Sequence, residues 1–440
     1  MKFEDYHDRY ISIPEALCDG IDRESYIIAS YILATPAKQD ARTLAKFAAI
    51  EQSTGTWIRV PAETAEVRKH HVARVVGVYE LPDYNTGEID RKAGERYYFC
   101  RIAFPVVNIE SLPILFTATI GNISMAGKLK LVDLEFPKQW VEMFKGPKFG
   151  IQGIRADSGV KDRPLLNNMI KPCTGHTCDV GADLLYQAAV GGCDVVKDDE
   201  LIANPSFNTL DERVHAYMEA CDRASEEKGE KTYYTANITA DVPDMLEFAN
   251  KVQDWGGNAI MINFLASHLS IMRAIAEDPS IKLPIMAHMD FAGVWYADPW
   301  SGVSAWLTLG KLPRLCGADW IVTPAPYGKA PFMAHQFQEV LLNQTLPFYH
   351  INQTMPMPSG GITAGMVEQC IRDCGPDILI GSGGGIHAHP DGPIAGARAF
   401  RQAIDAVMSG IPVKQYARDH EELGKALGLW GTGKTKFQGA

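Results

Sequence analysis

One charged stretch combines residue types that suit metal-dependent chemistry: Gly191-Gly192-Cys193-Asp194-Val195-Val196-Lys197-Asp198-Asp199-Glu200. An apolar segment leads into it, which predicts a short buried strand that ends in one lysine and three carboxylates. Because alternate residues of a strand share a face, Lys197 and Asp199 are expected to face one site, with Glu200 at the strand end. Two carboxylates beside a lysine favour a site for a hard divalent ion such as Mg²⁺. A solvated charge run after a strand is the alternative.

Other reactive side chains follow apolar segments further along the chain. Lys171 ends the first candidate strand, Asn237 ends the third and His288 ends the fifth. Lys329 lies in the loop after the sixth strand. Glycine lets backbone N–H groups approach an anion closely, so glycine-rich turns at neighbouring strand ends predict a phosphate site. Two such turns follow the seventh and eighth strands, Ser359-Gly360-Gly361 and Gly381-Ser382-Gly383-Gly384-Gly385.

The elements that position these side chains are predicted to form a barrel. From residue 147 to 440, short apolar segments alternate with amphipathic helical stretches such as 210–227 and 394–408. Eight β/α units fit a (β/α)₈ TIM barrel, whose chemistry lies at the carboxyl ends of the strands. A doubly wound open sheet is the structural alternative. The eight candidate strands are 167–171, 194–197, 232–237, 259–263, 283–288, 320–323, 353–358 and 378–381.

The part that precedes the barrel has a different pattern. Residues 1–24 predict an arm, and residues 25–146 predict a smaller α+β domain of ferredoxin-like type. Its candidate strands are 25–35, 72–79, 97–107 and 128–136, and its main candidate helices are 41–50 and 112–121. The predicted fold is therefore α/β, with a C-terminal TIM barrel preceded by a small α+β domain.

Composition narrows the functional class. The 440 residues carry a net charge of −11, and Lys and Arg form no cluster, which argues against a nucleic-acid partner. No apolar run is long enough to span a membrane. The nine cysteines include no Cys-x-x-Cys pair, so we expect reduced thiols and a cytoplasmic location. No Gly-x-Gly-x-x-Gly motif opens a helix after a strand, so a dinucleotide is not expected.

The motifs of the second half resemble those of the large subunit of RuBisCO, and the resemblance covers nearly the whole chain. Gly-Gly-x-Asp-x-x-Lys-Asp-Asp-Glu is specific to that family, and the segment around Lys171 resembles its Ile-Lys-Pro motif with an acid/base lysine. Asn237, His288 and Lys329 match further positions of the family's active site. The resemblance implies that Lys197 is carbamylated by CO₂ and binds one Mg²⁺ per active site together with two carboxylates, Asp199 and Glu200.

The first 150 residues carry matching motifs as well. Glu51, the segment Ser53-Thr54-Gly55-Thr56-Trp57 and the pair Gly121-Asn122 are similar to motifs of the family's N-terminal domain. The resemblance implies that these residues complete the active site of a partner subunit, and hence a homodimer or dimer-based oligomer with shared sites. The substrate-binding set implied by these motifs and by the two glycine turns is Glu51, Thr56, Trp57, Asn122, Ser359, Gly360, Gly361, Gly383 and Gly384.

Three departures from the family pattern change the expected substrate. Cys173 stands where RuBisCO has a lysine, Met289 where it has a phosphate-binding arginine, and Val322 where it has a phosphate-binding histidine. Charge-assisted hydrogen bonds are worth roughly 1.5–3 kcal/mol each, so binding of a second phosphate should be weakened by orders of magnitude. We therefore expect a RuBisCO-like protein of the form IV kind that acts on a small sugar with one phosphate, and not a ribulose-bisphosphate carboxylase.

The retained lysines and metal site suit formation of an enolate next to a carbonyl group. Our sequence-based hypothesis is decarboxylation, or transcarboxylation and hydrolysis, of a 3-oxo-isoapionate 4-phosphate-like substrate in carbohydrate catabolism. Its basis is Asn122, which stands where the resemblance implies a lysine base in the methionine-salvage enolase. Decarboxylation needs no such base. The alternatives are an enolase or isomerase of a methylthio-ketose 1-phosphate, which a less polar pocket at Met289 and Val322 would suit, and a non-catalytic regulatory homologue. Packing in the core is the alternative role for both of these side chains.

Overall fold

The computed structural model describes residues 14–56, 58, 60–82 and 94–433. Trp57, which the sequence places in the substrate-binding set, lies outside these ranges. The chain divides into two compact units: Met1–Met143 with Gly293–Thr308, and Phe144–Ala292 with Leu309–Ala440. Within the described ranges, no helix is both long enough and apolar enough to cross a membrane.

The strands of the described residues are numbered in chain order. They are β1 (Tyr26–Pro36), β2 (Arg74–Leu81), β3 (Glu95–Pro105), β4 (Leu129–Glu135), β5 (Leu165–Met169), β6 (Val195–Lys197), β7 (Tyr233–Asn237), β8 (Ala259–Ile262), β9 (Ile285–Ala287), β10 (Gly302–Val303), β11 (Trp320–Pro324), β12 (Met355–Ser359) and β13 (Leu379–Ser382).

The α-helices of the same residues are numbered likewise. They are α1 (Ala41–Glu51), α2 (Ala65–His71), α3 (Leu112–Ile120), α4 (Lys138–Val141), α5 (Gly150–Ser158), α6 (Cys178–Val190), α7 (Leu210–Lys228), α8 (Val242–Asp254), α9 (Phe264–Ser267), α10 (Leu269–Glu277), α11 (Ala292–Tyr296), α12 (Leu312–Leu315), α13 (Ala334–Thr345), α14 (Val367–Cys374), α15 (Gly384–His387), α16 (Gly392–Met408), α17 (Val413–Tyr416) and α18 (Glu421–Trp430).

The first unit is built on a five-stranded sheet in the order β10-β4-β1-β3-β2. The long central strand β1 pairs antiparallel with both β3 and β4, and β2 pairs with β3. Helix α1 buries an alanine-rich face, and Asp40 caps it by accepting from the backbone N–H groups of Arg42 and Thr43. Strands and helices mixed in this way confirm the predicted α+β fold. Helix α2, which Thr64 caps, was not predicted.

The second unit is an eight-stranded parallel sheet in the order β12-β11-β9-β8-β7-β6-β5-β13. Its two end strands, β12 and β13, lie next to each other, so the sheet curves into a barrel. Large apolar side chains such as Tyr233, Met286 and Trp320 fill the interior. These strands have buried faces on both sides, which explains why their sequences are short apolar runs. The predicted (β/α)₈ architecture is confirmed.

One short segment of the second half belongs to the first sheet. Strand β10 pairs in parallel with β4 through Gly302 with Lys130 and Val303 with Leu131. The Ser304 backbone N–H then donates to Leu131 O at 2.9 Å. The sequence-based division into 1–24, 25–146 and 147–440 did not assign this strand to the first unit. The domain limits of that division stay a prediction.

Candidate active site

Lys197 ends strand β6 and is fully buried. Its Nζ donates to the Asp198 backbone oxygen at 2.6 Å and lies 3.5 Å from Glu200 Oε2. Burial lowers the pKa of Lys197, and this effect outweighs the attraction of the neighbouring carboxylates. The lowered pKa increases the fraction of neutral amine, which is the form that reacts with CO₂.

Lys171, in the loop after β5, pairs with the second carboxylate of the motif. Its Nζ is hydrogen bonded to Asp199 Oδ2 and lies 3.1 Å from Cys173 Sγ. Burial lowers the pKa of Lys171, but the hydrogen bonds to Asp199 and Cys173 outweigh it, and the pKa is raised overall. In the absence of a metal, Lys171 is therefore the counter-ion of Asp199.

His288 follows strand β9 and faces the third carboxylate. Its Nε2 lies 3.3 Å from Glu200 Oε2, and its Nδ1 accepts a hydrogen bond from the Asp290 backbone N–H at 3.1 Å. Burial, together with the positive charge of Lys197, holds the pKa of His288 well below its usual range. A neutral imidazole whose Nδ1 is an acceptor carries its proton on Nε2, so His288 presents a donor to the site.

Two asparagines at strand ends hold the main chain of the acidic motif. Asn237 Nδ2 lies 3.4 Å from the backbone oxygens of both Asp199 and Glu200, and Asn263 Nδ2 donates to Glu200 O at 3.0 Å. The buried Asn263 Oδ1 has no hydrogen-bond partner among the described residues. Asn237 was predicted as a site residue, whereas Asn263 was treated only as the end of a strand. Its position at a strand end was the signal that could have identified it.

The two glycine turns lie next to these groups. Gly360 and Gly361 have φ values of 91° and 90°, which L side chains rarely adopt. The Lys329 backbone N–H donates to Gly360 O at 2.6 Å, so the loop that carries Lys329 is attached to the first turn. In the second turn, a Cβ added to Gly383 would lie 2.9 Å from Lys171 Cε. The Lys171 side chain therefore passes directly over the second turn.

These groups open into one cavity of about 830 Å³ in the barrel unit. Its polar wall contains Lys171, Glu200, His288 and Lys329 together with the predicted glycine turns. Its remaining wall is largely apolar and includes Met169, Met289, Ile362, Met366, Leu429 and Trp430. Of the residues predicted from the sequence, Lys197 and Asp199 lie directly behind this wall, in contact with Glu200 and Lys171 respectively.

Val322 does not lie where its expected role requires. We expected Met289 and Val322 together to make the pocket less polar. Met289 lines the cavity, but Val322 is buried in the apolar cluster inside the barrel and is not among the residues that line the cavity. Its side chain points from β11 into the closely packed barrel interior, as expected if its role is packing.

The predicted N-terminal residues lie in the other unit. Glu51 ends α1. The side chain of the next residue, Gln52, donates to Thr117 O at 2.7 Å, and this hydrogen bond places Gln52 beside the turn at Gly121-Asn122. Thr56 follows in the same loop. Within the first unit, the end of α1 and the Gly121-Asn122 turn are therefore neighbours. Their contact with a substrate stays a prediction.

Asp199 and Glu200 are oxygen donors that fit a magnesium ion, and a modified Lys197 would add a third. The described residues contain no group of three or more His, Cys, Asp or Glu side chains arranged to hold a metal. Asp199 and Glu200 provide two carboxylates, and addition of CO₂ to Lys197 would provide the third anionic oxygen donor. Mg²⁺ prefers such oxygen ligands. The lowered pKa of Lys197 and its closeness to Glu200 make the site compatible with this arrangement.

Comparison with known proteins identifies the family. The model for the ribulose bisphosphate carboxylase large chain, catalytic domain, matches residues 150–430, and the model for its N-terminal domain matches residues 19–140. The chain belongs to the RuBisCO large-chain family. A ribulose bisphosphate carboxylase-like protein of Archaeoglobus fulgidus is 56% identical over 420 residues, which cover 94% of this chain and 96% of that protein. This chain is accordingly a RuBisCO-like protein.

Three further relatives of this RuBisCO-like protein have lower sequence identities. A 2,3-diketo-5-methylthiopentyl-1-phosphate enolase of Geobacillus kaustophilus is 37% identical over 413 residues, which cover 92% of this chain and 98% of the enolase. The octameric ribulose-1,5-bisphosphate carboxylase/oxygenase of Pyrococcus horikoshii has a TM-score of 0.86 at 32% identity, with 97% and 98% coverage. A dimeric archaeal Rubisco from Hyperthermus butylicus has a TM-score of 0.85 at 32% identity, with 96% and 100% coverage.

Proposed function

We propose that this RuBisCO-like protein is a Mg²⁺-dependent enzyme that forms an enolate on a keto compound with a single phosphate. The observation that carries the proposal is the arrangement of Lys171 between Asp199 and the second glycine turn. This arrangement places an acid/base group between a metal ligand and an anion-binding turn. A carbonyl bound near Asp199 and a phosphate bound at Gly383 would have the intervening carbon within reach of Lys171 Nζ.

In this proposal each group of the chain has one task. Asp199, Glu200 and carbamylated Lys197 would hold Mg²⁺, which when bound would supply stabilisation of negative charge on a carbonyl oxygen. Lys171 transfers a proton to or from the carbon beside the carbonyl. His288 donates its Nε2 proton to a substrate oxygen, and the glycine turns bind the phosphate together with the exposed Lys329 ammonium.

Among enolate reactions we favour enolisation of a methylthio-ketose phosphate over decarboxylation. Relatives named 2,3-diketo-5-methylthiopentyl-1-phosphate enolase match nearly the whole chain, and Met169, Met289 and Met366 give the cavity an apolar wall. Thioether sulfur and apolar side chains suit such a tail. Decarboxylation of a 3-oxo-isoapionate 4-phosphate-like substrate is the second candidate, since Asn122 leaves the first unit without the implied lysine base.

The active form is proposed to be a homodimer or a dimer-based oligomer. The solved relatives described as dimeric and octameric support this assembly. In it, Glu51, Thr56, Trp57 and Asn122 of one subunit complete the site that the partner's barrel provides.

A two-substrate assay separates the candidate reactions. The purified protein is incubated with Mg²⁺ and bicarbonate, with or without EDTA, and given either 2,3-diketo-5-methylthiopentyl 1-phosphate or 3-oxo-isoapionate 4-phosphate. We expect EDTA-sensitive enol formation from the first compound and no CO₂ release from the second. CO₂ release from the second compound alone would assign the decarboxylase function. No reaction with either would favour the regulatory alternative.

A further inference from the structure

Asp198 is the one carboxylate of the run Asp198-Asp199-Glu200 that the proposed chemistry does not use. Its side chain is 1% exposed, and it turns away from Lys171 and Glu200 toward helix α7. Its Oδ2 accepts three hydrogen bonds, from Arg213 Nε at 3.1 Å, from the Tyr234 hydroxyl at 2.8 Å and from the Asn237 backbone N–H at 2.9 Å. A carboxylate oxygen with three buried donors is held in a single position.

Arg213 connects this carboxylate to the far end of the metal-site loop. Its fully buried guanidinium donates from Nη1 to Asn208 O at 2.8 Å and from Nη2 to Ala203 O. Both acceptors belong to residues 199–208, the segment that begins with Asp199 and Glu200. The Arg213 guanidinium therefore binds the chain at Asp198, immediately before Asp199 and Glu200, and at two points after them, Ala203 and Asn208. Lysine cannot reproduce this, because it lacks the planar fork of donors.

We propose that Asp198, Arg213 and Tyr234 form a buried clamp that positions Asp199 and Glu200 for metal binding. The proposal rests on the proposed metal site, since it assigns the ligands that are positioned. A buried ion pair is expensive to desolvate and contributes little to stability compared with apolar packing. The ion pair between Asp198 and Arg213 instead orients the metal ligands. Mutation of groups that hold metal ligands in position commonly lowers metal affinity by about 10–100-fold.

The substitution Arg213→Lys tests the clamp, and Arg314→Lys is its matched control. Arg314 is equally buried, and it donates to the backbone oxygens of Asn343, Leu346, Ile351 and Asn352 instead of to the metal-site loop. Both substitutions remove a buried multidentate arginine and should lower the melting temperature. Mg²⁺ affinity, measured by titration calorimetry in bicarbonate, should fall about 10–100-fold in Arg213→Lys and stay within twofold in Arg314→Lys. Equal affinities in the two variants would overturn the proposal.

A milder variant covers the case in which Arg213→Lys does not fold. Tyr234→Phe removes the hydroxyl that donates to Asp198 Oδ2 and accepts from Arg213 Nε at 3.0 Å, and it keeps the ring contact with Tyr217, whose centroid lies 4.9 Å away. We expect a severalfold loss of Mg²⁺ affinity with folding intact, and unchanged affinity would contradict the clamp.

Hydrogen exchange separates failure of the clamp from failure of the proposed function. If the wild type binds no Mg²⁺, the proposed metal centre is wrong, but the clamp still predicts faster exchange of the Ile202 amide, which bonds to Asp199 O, in metal-free Arg213→Lys. The same amide should be unaffected in Arg314→Lys. Unchanged exchange of this amide in Arg213→Lys would overturn the clamp whatever the metal result.

Discussion

Replacing Lys171 by methionine should destabilise the protein only while no metal is bound. The side chain of Asp199 is 1% exposed and that of its partner Lys171 is 32% exposed. Breaking a fully buried pair costs about 3–5 kcal/mol, and an exposed pair contributes about 0–1 kcal/mol. Because one partner is buried and the other is partly exposed, breaking this pair should cost about 2 kcal/mol, between these limits. For a domain of this size, that loss lowers the melting temperature by about 3 °C.

Mg²⁺ should reverse this loss, because the ion would replace the lysine as the counter-charge of Asp199. Melting temperatures are measured for wild type and Lys171→Met in EDTA, and again with Mg²⁺ and bicarbonate. We expect the difference of about 3 °C in EDTA to disappear with the metal, while kcat stays about 10²–10⁴-fold lower because the proton-transfer group is gone.

Lys329→Met is the matched control for this experiment. It removes another lysine of the same cavity, but one whose ammonium is exposed and has no hydrogen-bond or ion-pair partner among the described residues. Its melting temperature should equal that of the wild type in both buffers. If Lys171→Met melts with the wild type in EDTA, or if the gap is the same with and without Mg²⁺, the assigned pairing with Asp199 is incorrect.

Further predictions concern the phosphate turn, acid stability and assembly. Gly360→Ala, at φ 91°, should destabilise the protein by about 1–3 kcal/mol through backbone strain and should raise KM for the phosphorylated substrate, as thermal unfolding and kinetics can check. Burial raises the pKa of Asp194, but Arg163 outweighs it and the pKa is lowered. The ionised Asp194 therefore stabilises the protein above about pH 4, and this stabilisation is lost as the pH falls below that value. The free energy of unfolding of Asp194→Asn, measured against pH, should lack this acid dependence. Randomly mixed dimers of Lys197→Met and Asn122→Ala should recover about a quarter of wild-type activity, and no recovery would contradict shared sites.

The barrel and most of its site could be predicted because both follow from local patterns. A strand buried on two faces needs a short apolar run, so the run before Asn237 gave the limits of β7 to within one residue. Parallel strands bring their carboxyl ends together, and this geometry places Lys171, His288 and the glycine turns around one cavity. The placement of reactive groups was thus a consequence of topology.

The parts that could not be predicted depend on long-range packing. Strand β10 has two residues, and only its pairing with β4, far away in sequence, makes it a strand. Alternation along β6 places Asp198 on the face opposite to Lys197 and Asp199. It did not indicate that Arg213 and Tyr234 would donate hydrogen bonds to the Asp198 carboxylate. Val322 was assigned to the pocket by its position in a motif, whereas the packing of neighbouring strands decides which side chains reach the cavity.

Solvent hydrogen exchange tests the central claim, enolate formation at the Lys197 metal centre, most directly. Wild type and Lys197→Met are incubated in D₂O with Mg²⁺, bicarbonate and 2,3-diketo-5-methylthiopentyl 1-phosphate, and deuterium at the carbon beside the carbonyl is followed by NMR. We expect EDTA-sensitive incorporation by the wild type and none above background by Lys197→Met. Absence of incorporation by the wild type, or equal incorporation by the variant, would contradict enolate formation at this centre.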